Sequence, residues 1–150
     1  MDQAKARFFE PMLLLATGSL PEGDDWKYEL KLDGYRAIAF KSNGKVQLRS
    51  RNNKDFKLRY PAIAKALEKL PDETVIDGEV VAFDDSGRPS FNKLQNYASS
   101  VVPIFYYAFD VLMLPVGTSG LSLWKHVASY SERRCFQSCT NRSATRLIWM

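Results

Sequence analysis

Cysteine and histidine are close to absent: Cys135, Cys139 and His126 are the only ones in 150 residues. Three such side chains fall short of the four ligands of a structural zinc site, and a reduced, intracellular protein is the simpler expectation. No long apolar run exists either. The most apolar stretch, residues 104–114, is interrupted by Asp110. It is far shorter than the ~18 residues that span a bilayer, so no membrane embedding is expected. Near the start, residues 12–16 are too few for a signal peptide, and Asp2 and Glu10 precede them, so the chain reads as mature sequence. No internal repeat is visible. At 45% hydrophobic and 25% charged residues, what remains is the balance of one globular domain.

The charge that is present is segregated. Residues 36–59 hold eight basic side chains against one acid, Asp55, whereas residues 60–90 hold three basic side chains against seven acids. A basic strip followed by an acidic one suits a site that handles phosphates and a metal, although from charge alone two solvated faces are the commoner meaning.

Local patterns divide the chain into elements. Trp26, Tyr28, Leu30 and Leu32 alternate with Lys27, Glu29, Lys31 and Asp33, which predicts a strand with one charged face. Asn43-Gly44 flanked by residues 37–40 and 46–50 predicts a tight antiparallel hairpin. Pro61 opens a helix whose Ile63, Ala66, Leu67 and Leu70 share a face, and Pro71 closes it. Residues 74–83 form a second strand with a charged face, carrying Asp77 and Glu79. Ser90 caps a short helix bearing Phe91, Leu94 and Ala98, and after Pro103 the run 104–113 reads as a strand central to the sheet. Hairpins with packing helices argue α+β rather than an alternating parallel sheet. From residue 115 on no period holds.

Two clusters carry chemistry. In Glu29-Leu-Lys31-Leu-Asp33-Gly-Tyr-Arg36, a lysine sits between two carboxylates on one strand face. Such a lysine is ordinarily a paired surface cation; to act as a nucleophile it must shed its proton, which requires a desolvating pocket or a neighbouring cation. The second cluster is Asp77-Gly78-Glu79, which alone would mean only a turn. Asp110, the single charge of an apolar strand, is expected to be paired or placed at a site.

Glu-x-Lys-x-Asp-Gly-x-Arg resembles the nucleotidyltransferase motif of ATP-dependent DNA ligases. Leu48-Arg-Ser-Arg-Asn-Asn-Lys-Asp-Phe56, Asp77-Gly-Glu-Val-Val-Ala-Phe83 and Tyr106-Tyr-Ala-Phe-Asp-Val-Leu112 continue that family's series in order. The lead-in from Trp26 and the segment from Arg88 to Gln95 are similar to bacterial members of the end-joining type. The resemblance implies an ATP-grasp-like adenylation domain of antiparallel sheets and packing helices over residues 8–114, followed by a divergent tail, 115–150. It implies that Lys31 is the catalytic residue, taking AMP from ATP and passing it to the 5′-phosphate of nicked or broken double-stranded DNA. It further implies that Glu29, Arg36, Arg51, Glu79 and Phe109 join Lys31 in binding ATP, with Phe109 stacking on adenine. Glu79 would help organise Mg²⁺. A bacterial cytoplasmic, nucleoid-associated location in DNA repair follows from the same resemblance.

Two family motifs, a metal-binding glutamate segment and a Lys-x-Lys strand, have no counterpart in residues 115–150, and neither does the family's small β-barrel domain. An adenylation domain incomplete at its C-terminus is therefore expected. That expectation keeps a rival in view: a catalytically impaired nucleotide or nucleic-acid binding remnant, which would bind without forming an adduct. An RNA ligase or capping-type nucleotidyltransferase shares the Lys-x-Asp-Gly core but matches the flanking segments less well. Cys135, Cys139 and His126 are not expected to form a metal site.

Overall fold

In a computed structural model, residues 4–13, 18–19, 22–23, 27–29, 32–99, 102–117 and 147–149 are described, with backbone alone for 27–29, 99 and 147–149. Among the described residues, six strands and two helices follow one another as β1 (Lys27–Glu29), β2 (Tyr35–Ser42), β3 (Lys45–Ser50), α1 (Pro61–Leu67), β4 (Thr74–Ala82), α2 (Phe91–Gln95), β5 (Ile104–Met113) and β6 (Leu147–Trp149). A single 3₁₀ turn, Tyr97–Ser99, links α2 to β5. The main sheet has the order β3-β2-β4-β5 with every pair antiparallel. β1 and β6 form a separate two-stranded parallel pair.

The hairpin forms where the sequence puts it. Ser42 pairs with Lys45 across Asn43 and Gly44, whose φ values of 50° and 73° are the left-handed conformations a two-residue turn demands. β4 fills the sheet's interior, and eight of its nine residues are buried. One face of the sheet, carrying Ala37, Ala39, Leu48, Ile76, Val80 and Ala82, packs against Ile63 and Leu67 of α1 and Leu94 of α2. Leu94 is fully buried, which stabilises by roughly 2 to 3 kcal/mol relative to an exposed leucine. Its helix is only five residues long and starts at Ser90, whose side chain accepts a hydrogen bond from the Lys93 amide.

Among the described residues the opposite face is covered only in part. Ala6 packs on Ile38 and Val75, with Phe8, Phe40 and Met113 around them. Residues 4–13 are thus strapped across this face, while Arg36 and Glu79, paired in the β2–β4 register, stand further along it.

Three expectations need correction. β5, predicted to be central, lies at the edge of the main sheet, and its residues are at most half-buried while β4 takes the interior. Its apolar character goes instead into aromatic contacts, such as Phe105 and Tyr107 against Phe83. α1 stops at Leu67 rather than at Pro71, because residues 68–70 tighten into bonds from each amide to the third carbonyl back. There the Lys41 ammonium takes the carbonyls of Glu68 and Leu70 at 2.8 and 2.9 Å, as a cation at a helix C-terminus does. Among the described residues Asp110 has no ion-pair partner and does not line the site described below: it is exposed, and it accepts the amide N–H of Val111 at 2.7 Å.

Candidate functional site

Where β2 begins and β3 ends, the sheet opens into a cleft of about 510 Å³, lined by Leu13, Gly34, Tyr35, Arg36, Ser50, Arg51, Asn52, Lys54, Phe56, Arg59 and Glu79. That volume lies in the range of small-molecule sites. Among the described residues, four of the eight basic side chains of the 36–59 strip face it, against the one carboxylate of Glu79. Half of the basic strip is thereby gathered on one concave surface.

Its walls follow from local chain chemistry. Asn53, at φ 58°, lets the chain turn back after β3, so that the Ser50 amide donates to the Lys54 carbonyl at 2.9 Å. The Ser50 hydroxyl accepts the Lys54 amide at 3.0 Å. The Arg51 amide donates to the Arg36 carbonyl at 3.2 Å, which ties the end of β3 to the start of β2 and sets both arginines at one rim. Below lies a chain of aromatic rings. Tyr35 meets Phe56 at 5.8 Å and Phe91 at 4.9 Å, and Phe56 meets Tyr60 at 5.4 Å. The Arg59 guanidinium rests on Tyr35 and Tyr60, at 5.1 and 5.5 Å from their ring centres. Gly34 is required here, because a β-carbon would stand 2.3 Å from the Val80 carbonyl oxygen.

Arg36 is held on three sides. Its Nε donates to one oxygen of Asp77 at 3.1 Å and its Nη2 to the other at 2.6 Å, while Nη1 donates to the Met12 carbonyl at 2.8 Å. The ring of Phe109 lies 5.5 Å from the guanidinium carbon. Asp77 is almost fully buried, with 3% of its side chain exposed, so the fork-to-fork pair is shielded from competing water.

Of the residues singled out from sequence, Arg36, Arg51 and Glu79 come together on this cleft. Phe109 does not line it; its ring backs the Arg36 guanidinium. The backbone of Glu29 lies in β1, while Lys31 and the trio Cys135, Cys139 and His126 lie outside the described residues. Tyr35, Lys54, Phe56 and Arg59 line the cleft without having been singled out. For Lys54 and Phe56 a signal existed, since both stand in the arginine-containing segment. Arg59 was marked only as the last cation of the basic strip, and Tyr35 only as a variable position of the lysine motif. Among the described residues no group of three or more His, Cys, Asp or Glu side chains is placed to hold a metal, and no helix is long and apolar enough to cross a membrane.

The family model for the ATP dependent DNA ligase domain matches residues 11–140. The multifunctional non-homologous end joining protein LigD of Mycolicibacterium smegmatis is 41% identical over 138 residues, covering 89% of this chain and 17% of its own length. DNA ligase C of Mycobacterium tuberculosis is 32% identical over 115 residues, covering 69% of this chain and 31% of its own. Among solved structures, the ligase domain of Mycobacterium tuberculosis LigD matches with a TM-score of 0.50 and 40% identity over 56% of this chain and 28% of that one. A mycobacterial DNA ligase D complexed with ATP matches equally well. The chain thus spans a sixth to a third of the length of these curated relatives. It belongs to the ATP-dependent DNA ligase family.

Proposed function

We propose that this chain is the nucleotide-binding and self-adenylylating part of a DNA ligase of the bacterial end-joining type, acting on nicked or broken double-stranded DNA in repair. One observation carries the reading: Arg36, Arg51 and Glu79, far apart in sequence, converge on a single cleft that Lys54 and Arg59 make still more basic. Polyphosphates are bound by such convergent cations, and guanidinium groups match phosphate oxygens with paired donors.

In this reading the deprotonated Lys31 amine attacks the α-phosphorus of ATP, a P–N bond forms, and the bond to the departing pyrophosphate breaks. AMP is left as a phosphoramidate on Lys31 and then passes to a DNA 5′-phosphate. Little covalent work falls to other residues; their part is to position the nucleotide and to offset charge that builds on the phosphoryl oxygens. Arg36 and Arg51 supply donors for that, Glu29 helps position the nucleotide, and Phe109 acts from behind the Arg36 guanidinium, on which its ring lies. Glu79 is the cleft's own carboxylate. It fits a ribose hydroxyl, and it also fits a Mg²⁺ that arrives on the nucleotide, since Mg²⁺ takes one or two protein carboxylates together with phosphate oxygens and water. When bound, Mg²⁺ would neutralise phosphate charge. Bacterial cytoplasm, close to the nucleoid, is the corresponding location.

Calorimetric titration of ATP into the chain tests the reading. Binding is expected to weaken about tenfold in Arg51→Ala, the effect of losing one charge-assisted contact of about 1.5 kcal/mol. Absence of ATP binding by the folded parent chain would sink the proposal.

A further inference from the structure

Asp77 and Phe109 lie just outside the cleft, and both act on the same side chain inside it. β4 runs Asp77-Gly78-Glu79, and strand alternation sends Asp77 and Glu79 to one face and Gly78 to the other. On that other face Gly78 has no room for a side chain, because the Tyr106 ring would meet its β-carbon at 2.6 Å. Glu79 reaches the cleft, while Asp77 stays buried behind Arg36. Opposite, the β4–β5 register shifts between Asp77 and Gly78: Asp77 pairs with Asp110 and Gly78 with Ala108, which leaves Phe109 as the extra residue. Bulges of this kind re-aim a side chain, and here the displaced ring lies against the Arg36 guanidinium at 5.5 Å.

We propose that Asp77 is a positioning residue, holding Arg36 in one orientation against the bulge residue Phe109 so that its guanidinium meets the nucleotide already ordered. The inference rests on the reading of the cleft as a nucleotide site and deepens it. An arginine at a cleft rim is ordinarily a mobile cation that must be ordered when a ligand arrives. Arg36 is instead fixed in plane by two bonds to one carboxylate, along its edge by the Met12 carbonyl, and on its face by an aromatic ring. Lysine has no fork with which to satisfy this arrangement. Asp77 touches no ligand in this account, and its whole effect on binding passes through Arg36.

A double-mutant cycle tests that dependence: ATP titration of the full chain, Asp77→Asn, Arg36→Ala and the double variant, with thermal unfolding of each to establish folding. The expected result is a loss of about tenfold in ATP affinity for Asp77→Asn, the size of one charge-assisted contact, with no further loss when it is added to Arg36→Ala. Unchanged affinity in Asp77→Asn, or losses that multiply in the double variant, would overturn the proposal. The Arg36 Nε–H resonance gives a readout that needs no ligand. It is expected to be protected from solvent exchange in the parent chain and to lose that protection in Asp77→Asn; an Nε–H already in rapid exchange in the parent overturns the proposal even if Asp77→Asn does not fold. Should the parent bind no ATP while its Nε–H is protected, the nucleotide reading fails and the ordering of Arg36 by Asp77 stands.

Discussion

A single methyl group at position 78 decides whether β4 and β5 can lie together. A β-carbon there would sit 2.4 Å from the Tyr107 carbonyl oxygen and 2.6 Å from the Tyr106 ring, and backbone cannot yield as a flexible side chain does. Gly78→Ala is expected to cost about 3 kcal/mol, at the upper end for overpacking, and to lower the melting temperature by roughly 6 to 12 °C. An unchanged melting temperature in a calorimetric scan would contradict this packing. Tyr60 presents the opposite case. Its hydroxyl is buried with no partner among the described residues, and burial pushes its pKa up to about 12, with Arg59 pulling the other way. Since the folded pKa exceeds the unfolded value near 10, the stability contributed is complete below pH 10 and is lost as pH rises toward 12. That loss is about 2 kcal/mol at pH 12. Tyr60→Phe should be no less stable than the parent at pH 7 and should decline less steeply above pH 10 in denaturant titrations. Burial also raises Tyr106, so part of the alkaline decline will remain.

Among the elements, the strap formed by residues 4–13 depends on a few polar ties. The Glu73 carboxylate accepts the Ala6 amide and, at 2.8 Å, the Ser42 hydroxyl; these bonds hold its pKa below the usual carboxylate value, the Ala6 amide foremost. A depressed folded pKa means that the tie is complete above the ordinary carboxylate range and is lost as pH falls through the folded value. Protection of the Ala6 amide from hydrogen exchange, relative to an unstructured peptide, is therefore expected at neutral pH and should fade in acid. Glu73→Gln should weaken it at every pH; full protection in that variant would show that the strap is held by apolar contact alone. Elements whose signals are local were legible in the sequence. Asn43-Gly44 specified the β2–β3 hairpin, and Ser90 the start of α2. What failed depended on distant partners. The apolar run 104–113 resembles a central strand, but its place at the edge was decided by β4, which pairs with both β2 and β5. Beyond the end of α1 the carbonyls of Glu68 and Leu70 are taken by Lys41, twenty residues before Pro61, and no periodicity within the helix contains that information. The pairing of β1 with β6 spans more than a hundred residues and had no sequence signature.

At the scale of the molecule, a four-stranded antiparallel sheet uses one face for its main core and divides the other between a small apolar cluster under residues 4–13 and the charged groups of the cleft. The ordered motifs conveyed the family and three residues of the cleft, Arg36, Arg51 and Glu79, because family resemblance transmits residue identity along the chain. Arg59 escaped because its role depends on the stacked rings of Tyr35 and Tyr60 beneath it. Asp77 was noticed as a neighbour of Glu79, whereas its pairing with Arg36 across the sheet became visible only in three dimensions. Whether this cleft performs chemistry or only binds is decided by covalent mass. Incubated with ATP and Mg²⁺, the parent chain is expected to gain the mass of one AMP, and Lys31→Ala to gain none. A folded parent chain that binds ATP yet never acquires the adduct would contradict self-adenylylation and leave a binding site alone.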